Sequence, residues 1–66
     1  MVKEIILIIL LFNGEAKLVS FPFEGTVMEC FAYGDQLRMK HATHNEEQNI
    51  WFLKEGPGTW QGFICQ

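Results

Sequence analysis

The residues best able to do chemistry in this 66-residue chain are two cysteines and two histidines. Cys30 and Cys65 do not form a C-x-x-C motif, which excludes a thioredoxin-type redox site and half of a zinc knuckle. A disulfide between them would close a long loop and stabilise the fold by about 3–4 kcal/mol in the chain-entropy model. Two buried free thiols are the alternative, and the sequence leaves both open because it does not reveal the redox compartment.

The two histidines are the other candidate site. His41 and His44 have the i, i+3 spacing that could place two imidazoles on one metal, with Glu46 or Glu47 as oxygen ligands. A closed zinc site needs four well-held ligands, whereas histidines near a helix end are also favoured by the helix dipole. We therefore expect no metal or cofactor site. No nucleophile–base arrangement is suggested, so we predict no catalytic residues and no enzymatic activity.

Composition limits the class of partner. The formal net charge is −3, and the five Lys and Arg residues are scattered along the chain. Nucleic-acid binding needs a basic footprint, so we expect neither nucleic acid nor an anionic membrane surface as partner. A chain this short forms one domain, residues 1–66, and buries only about 60% of its unfolded surface.

The element that must organise this domain is the unbroken apolar run at residues 5–12, which ends in Asn13-Gly14. It is too short to span a bilayer, which takes roughly 20 apolar residues. Its isoleucines and the Asn-Gly turn signal favour a β-strand that starts a hairpin. The alternative is a signal peptide formed by residues 1–16 and cleaved after Ala16, which would make the protein a secreted, disulfide-stapled peptide.

The remaining pattern predicts an α+β fold of ββαββ type. Four strands are expected, at residues 2–12, 16–21, 49–53 and 59–65. Pro22 should end the second strand, and residues 45–48 should form a polar linker. The antiparallel order 2-1-3-4, with the helix on one face, places the two strands that lack a polar side in the middle.

The helix begins at a sequence signature. Thr26 and Glu29 match a capping box, in which each side chain accepts a hydrogen bond from the other residue's backbone amide. Apolar residues then recur at three- and four-residue steps from Val27, and the helix is expected to continue to the histidines. Gly34 in mid-helix predicts a close approach of the helix backbone to the sheet.

One helix cannot cover both faces of such a sheet. Strict alternation along the last strand places Phe63 and Cys65 toward the helix and puts Trp60 and Ile64 on the opposite face. That uncovered face is predicted to be an interface, and its residues are expected to be Trp60, Ile64, Trp51, Ile8 and Leu10. A second copy packed sheet against sheet is the simplest cover, so we expect a homo-oligomer. The alternatives are another protein or a membrane surface as cover, a sheet that curls strongly around its own core, or a first strand that is partly out of register.

The apolar first strand, the hairpin, the capped helix with Glu29-Cys30 and the closing Phe63-Ile64-Cys65-Gln66 together resemble a class of very small, functionally uncharacterised bacteriophage proteins, marine ones especially. The resemblance implies a viral origin, and hence the host cytoplasm or the virion as location, but no activity. Our first hypothesis is a non-enzymatic, self-associating subunit of a virion or similar assembly. The second is a binding module or inhibitor that captures one host protein.

Overall fold

The computed structural model describes all 66 residues and contains one helix and five antiparallel strands. In chain order these are β1 (Val2–Leu10), β2 (Ala16–Gly25), α1 (Val27–His41), β3 (Ala42–Asn45), β4 (Ile50–Leu53) and β5 (Thr59–Cys65). The order across the sheet is β2-β1-β5-β4-β3, and α1 lies on one face. The broad α+β prediction is confirmed. The helix has neither the length nor the apolar composition needed to cross a bilayer.

β1 is an interior strand of the sheet, as its uninterrupted apolar sequence predicts. It pairs with β2 on one side and β5 on the other. The β1–β2 hairpin closes at Asn13-Gly14, where Gly14 has φ +90° and the Asn13 side chain accepts from the Glu15 amide at 3.0 Å. Glycine tolerates that backbone region without a steric penalty, which explains its place in the turn.

The predicted strand order 2-1-3-4 is wrong, because β1 pairs with the last strand and not with residues 50–53. Ile5 lies opposite Cys65 and Leu7 opposite Phe63. The Glu4 amide donates to the Gln66 carbonyl at 2.8 Å, which lengthens this ladder. β5 has seven residues and β4 has four, so β5 offers the nine-residue β1 more hydrogen-bond partners.

The predicted count of four strands is also wrong, because the chain turns directly from α1 into a short edge strand. At the helix end the Ala42 amide still donates to the Arg38 carbonyl, while Ala42 itself is extended (φ −137°, ψ 155°). His44 therefore lies on β3, opposite Trp51, and not in the helix. The expected polar linker is the β3–β4 hairpin turn, which contains Asn49 at φ 55°.

Pro22 does not end β2, which continues to Gly25. β2 is an edge strand with only β1 beside it. A proline on such a strand can direct its donor-free nitrogen toward solvent, so it interrupts no ladder bond. The second strand is consequently longer than its mixed sequence predicts.

The buried core lies between α1 and the sheet. Six side chains form it: Val2, Ile5, Leu7, Cys30, Ala42 and Trp60. The close approach predicted at Gly34 is confirmed, since a Cβ there would overlap the Phe63 ring. Gly34 thus lets the helix backbone rest directly on an aromatic side chain of β5.

The capping box is confirmed as well. The Thr26 hydroxyl accepts from the Glu29 amide at 3.1 Å, and the Glu29 carboxylate accepts from the Thr26 amide at 2.9 Å. These backbone and side-chain hydrogen bonds with Thr26 hold the pKa of Glu29 below its usual value. The start of α1 is therefore fixed by local contacts alone.

Candidate functional site

The two cysteines meet on the helix side of the sheet. Cys30 comes from the buried side of α1 and Cys65 from the end of β5. They form a disulfide across which the Cα atoms lie 6.3 Å apart, and no free cysteine remains. This bond ties the helix to the strand beside β1.

The opposite side of the sheet is covered by no part of the chain. Apolar side chains of β1, β2, β4, β5 and the first turn lie there. We call this surface the open face, and its apolar residues are Ile6, Ile8, Leu10, Phe12, Leu18, Phe52 and Ile64. Relative exposures reach 68% at Phe12, 64% at Leu18 and 43% at Ile64. These values are high for large apolar side chains that stand next to one another.

Polar side chains on the open face are mostly paired with one another. The Ser20 hydroxyl donates to the Glu4 carboxylate at 2.8 Å. The Gln61 amide donates to the Thr59 hydroxyl at 2.8 Å, and that hydroxyl donates to the Leu10 carbonyl at 3.4 Å. Burial of this face would therefore leave few of these groups without a partner.

The structure places three of the five predicted interface residues on the open face, namely Ile8, Leu10 and Ile64. The prediction for Trp60 is wrong, because this residue belongs to the core on the helix side and is only 7% exposed. A bulge is the reason: Ile8 pairs with Gly62 and Ile9 with Trp60, so one extra residue reverses the alternation. A substitution at Trp60 would test folding and not association.

Trp51 is also on the helix side. It lies directly opposite Trp60 across β4 and β5. The Arg38 guanidinium from α1 lies 4.6 Å from the centre of its ring, a cation–π geometry. The face of Trp51 follows from that of Trp60, so the same bulge explains both corrections.

The histidines do not form a shared site. His44 Nε2 lies 3.0 Å from Asn49 Oδ1, and its ring lies 4.9 Å from that of Trp51. His41 is the last residue of α1. No group of three or more His, Cys, Asp or Glu side chains is arranged to hold a metal ion.

A second concave surface, not foreseen from the sequence, lies on the helix side. It is a cleft of about 260 Å³ between the end of α1 and strands β1, β2 and β5. Its floor is apolar and its rim carries Lys40, His41, Lys54 and Glu55. We call it the lysine cleft. No linear motif marks it, because residues from five different segments line it.

Comparison with protein-family models, with curated proteins and with solved structures found no match for this chain. The open face and the lysine cleft are the two surfaces of the chain whose geometry suggests a function.

Proposed function

We propose that this protein is a non-enzymatic, self-associating subunit that forms a two-fold dimer by packing open face against open face. The observation that carries the proposal is the row of exposed apolar side chains on a sheet face with few charges, which includes Phe12, Leu18 and Ile64. Apolar surface of this kind gains free energy when a partner removes it from water. A second copy is always available and presents the same surface.

The dimensions of the face support a dimer. Nine residues make β1 about 30 Å long, and five strands about 4.8 Å apart make the sheet about 20 Å wide. Such a face can bury at most about 600 Å² per copy, or about 1,200 Å² in total, which is the lower end of specific interfaces. These dimensions favour a reversible dimer.

Face-to-face packing is favoured over edge-to-edge pairing. The exposed edge of β2 carries Pro22, which cannot donate a hydrogen bond to a further strand. The β3 edge is only four residues long. Two twisted sheets can instead stack about 10 Å apart, with Leu18 and Ile64 of one copy against those of the other.

The proposal also extends to the larger biological role. We infer from the resemblance to small phage proteins that the dimer is a building unit of a virion or similar assembly. A host protein captured on the open face is the alternative partner. A secreted form cleaved after Ala16 would lack β1, which has hydrogen-bonded neighbours on both sides, so that alternative requires a different fold.

Leu18→Glu tests the proposal, because it puts a charge in place of a large apolar side chain of β2 that is 64% exposed on the open face. We expect the wild type to approach about 15 kDa, twice the 7.6 kDa of one chain, in sedimentation equilibrium at rising concentration. Leu18→Glu should stay monomeric at the same concentrations because two such charges would be buried in the interface.

Met28→Glu is the matched control, since Met28 is 82% exposed on α1, away from the open face. It should dimerise like the wild type. A wild-type mass of one chain up to millimolar concentration would refute the dimer, and equal weakening by both variants would move the interface elsewhere. A stable one-to-one complex with a host protein, formed by a monomeric wild type, would favour the binding module.

A further inference from the structure

We propose that the lysine cleft binds single-chain carboxylates, with the acyl chain on the apolar floor and the carboxylate at the lysine rim. The cleft lies on the helix side of the sheet, so this site is separate from the open face and does not depend on dimerisation. The proposal goes beyond self-association, because it assigns the protein a small-molecule ligand.

The floor provides a continuous apolar surface from three neighbouring strands and the end of a fourth. Its six apolar residues are Leu7, Ile9, Val19, Phe21, Leu53 and Trp60. Leu7 lies opposite Val19 and Ile9 opposite Trp60, so the side chains adjoin across the sheet. Ligand pockets are mainly apolar with a few polar groups that fix orientation, and this lining has that character. A volume of about 260 Å³ suits a short acyl chain and is too small for a drug-sized molecule.

The rim concentrates positive charge in a protein whose net charge is negative. Lys40 and Lys54 line the cleft. Lys17 lies opposite Ile9 on the same face, just beyond the lining. Three of the five Lys and Arg residues of the chain are thus at or beside one cleft. The single ion pair of the protein joins Arg38 to Asp35, so these lysines are free to meet an anionic ligand.

Two features oppose an anion, and both are smaller than the lysine contribution. Glu55 adds one negative charge to the rim. The carbonyls at the end of α1 also disfavour negative charge. However, the Arg38 carbonyl accepts from the Ala42 amide, and the His41 carbonyl accepts from the Lys54 amide at 2.8 Å. Two of these terminal carbonyls are therefore paired, and the two lysines outnumber the single carboxylate of Glu55, so the rim is positive.

Isothermal titration calorimetry with octanoate tests the site directly, using the intact wild-type chain. We expect a dissociation constant on the order of 0.1–1 mM with one site per chain, as befits a ligand of this size. Acetate, which lacks the chain, and octylammonium, which reverses the charge, should bind at least about tenfold more weakly. Equal binding of octanoate and octylammonium would overturn the proposal, and so would the absence of octanoate binding.

Two exposed substitutions test the head group without disturbing the core. Lys40→Gln/Lys54→Gln should weaken octanoate binding about fivefold to tenfold, since each exposed charge contributes roughly a twofold to fivefold effect. Lys3→Gln removes an exposed lysine outside the cleft and should leave affinity unchanged. Octanol binding should be the same in the wild type and the double variant. If Lys3→Gln lowered octanoate affinity as much as the double substitution, the effect would come from net charge, and the assignment of the head group to Lys40 and Lys54 would be overturned.

Val19→Phe and Leu18→Phe locate the acyl chain, because they enlarge neighbouring residues of β2 that face opposite sides of the sheet. Val19→Phe should occupy the cleft and lower octanoate affinity at least about tenfold. Leu18→Phe should bind octanoate like the wild type. The reverse pattern would place octanoate on the open face and overturn the proposal.

Discussion

The two faces of β1 carry nearly the same side chains and have opposite environments. Ile5 and Leu7 point toward α1 and are 0% and 5% exposed, whereas Leu10 on the other face is 39% exposed. The difference in exposure therefore comes not from residue type but from α1, which covers one face and leaves the other open. A strand that is apolar on both faces needs a packing layer on each side, and in this chain α1 covers one side only.

The covered face is held by contacts that the open face lacks. α1 starts at a capping box, approaches β5 through Gly34, and is joined to it by the Cys30–Cys65 disulfide. The open face has only side chains and their mutual hydrogen bonds. Substitutions that act on one face at a time should therefore separate folding from association.

Loss of the disulfide is expected to have the largest effect, and only on the covered face. The bond links residues 35 positions apart, so in the chain-entropy model its removal costs about 3–4 kcal/mol. For a domain of this size that lowers the Tm by about 15–30 °C. Thermal unfolding of Cys30→Ala/Cys65→Ala, followed by circular dichroism, should show this drop.

Reductant provides the control for that experiment. It should lower the Tm of the wild type and of the open-face variant Leu18→Glu alike, and should leave the double-alanine variant unchanged. If the double variant lost no more than about 1 kcal/mol, the covered face would owe its stability to packing rather than to the covalent link.

A pair of equal deletions on β1 compares the faces at smaller scale. Ile5→Val removes one methylene group from a fully buried site and should cost about 0.5–1.5 kcal/mol. Ile8→Val makes the same change on the open face. In the monomer it should lower the free energy of unfolding by only a few tenths of the Ile5→Val loss, because part of the Ile8 side chain is already in water. Urea unfolding at low protein concentration measures both, and equal losses would mean that the open face is core.

Features encoded in local sequence could be predicted. The capping box at Thr26, the hairpin at Asn13-Gly14, the interior position of the first strand and the close approach at Gly34 each rest on a few adjacent residues or on one periodicity. Physical rules for caps, turns and apolar runs act at that range. The cysteine pairing cannot be predicted in this way, because it depends on tertiary proximity, which a two-residue pattern does not encode.

Features that depend on long-range pairing could not be predicted. Both β4 and β5 are apolar enough to lie beside β1, so the order depended on ladder length. The reversal of Trp60 depends on a bulge beside Gly62, and an isolated glycine in a strand was its one available sequence signal. Residues 42–45 have little strand propensity and pair because the tertiary fold presents β4 to them. The lysine cleft depends on the same long-range arrangement.

The smallest predicted effect concerns the pH dependence of the covered face. Because the pKa of Glu29 is lowered in the folded protein, its carboxylate stabilises the fold at neutral pH, and this contribution is lost as the pH falls through the lowered pKa. The amide oxygen of Glu29→Gln can still accept from the Thr26 amide, but it does not titrate. The stability difference between wild type and Glu29→Gln should therefore be greatest at neutral pH and shrink on acidification, which urea unfolding at several pH values would show.

A Glu29 pKa at or above the usual carboxyl value in an NMR titration would contradict this account, whereas a partial rise of that pKa in Thr26→Ala would assign the shift to the capping box. The Glu29 and Thr26 substitutions should not affect association through the open face, because Glu29 stabilises only α1, which covers the other face.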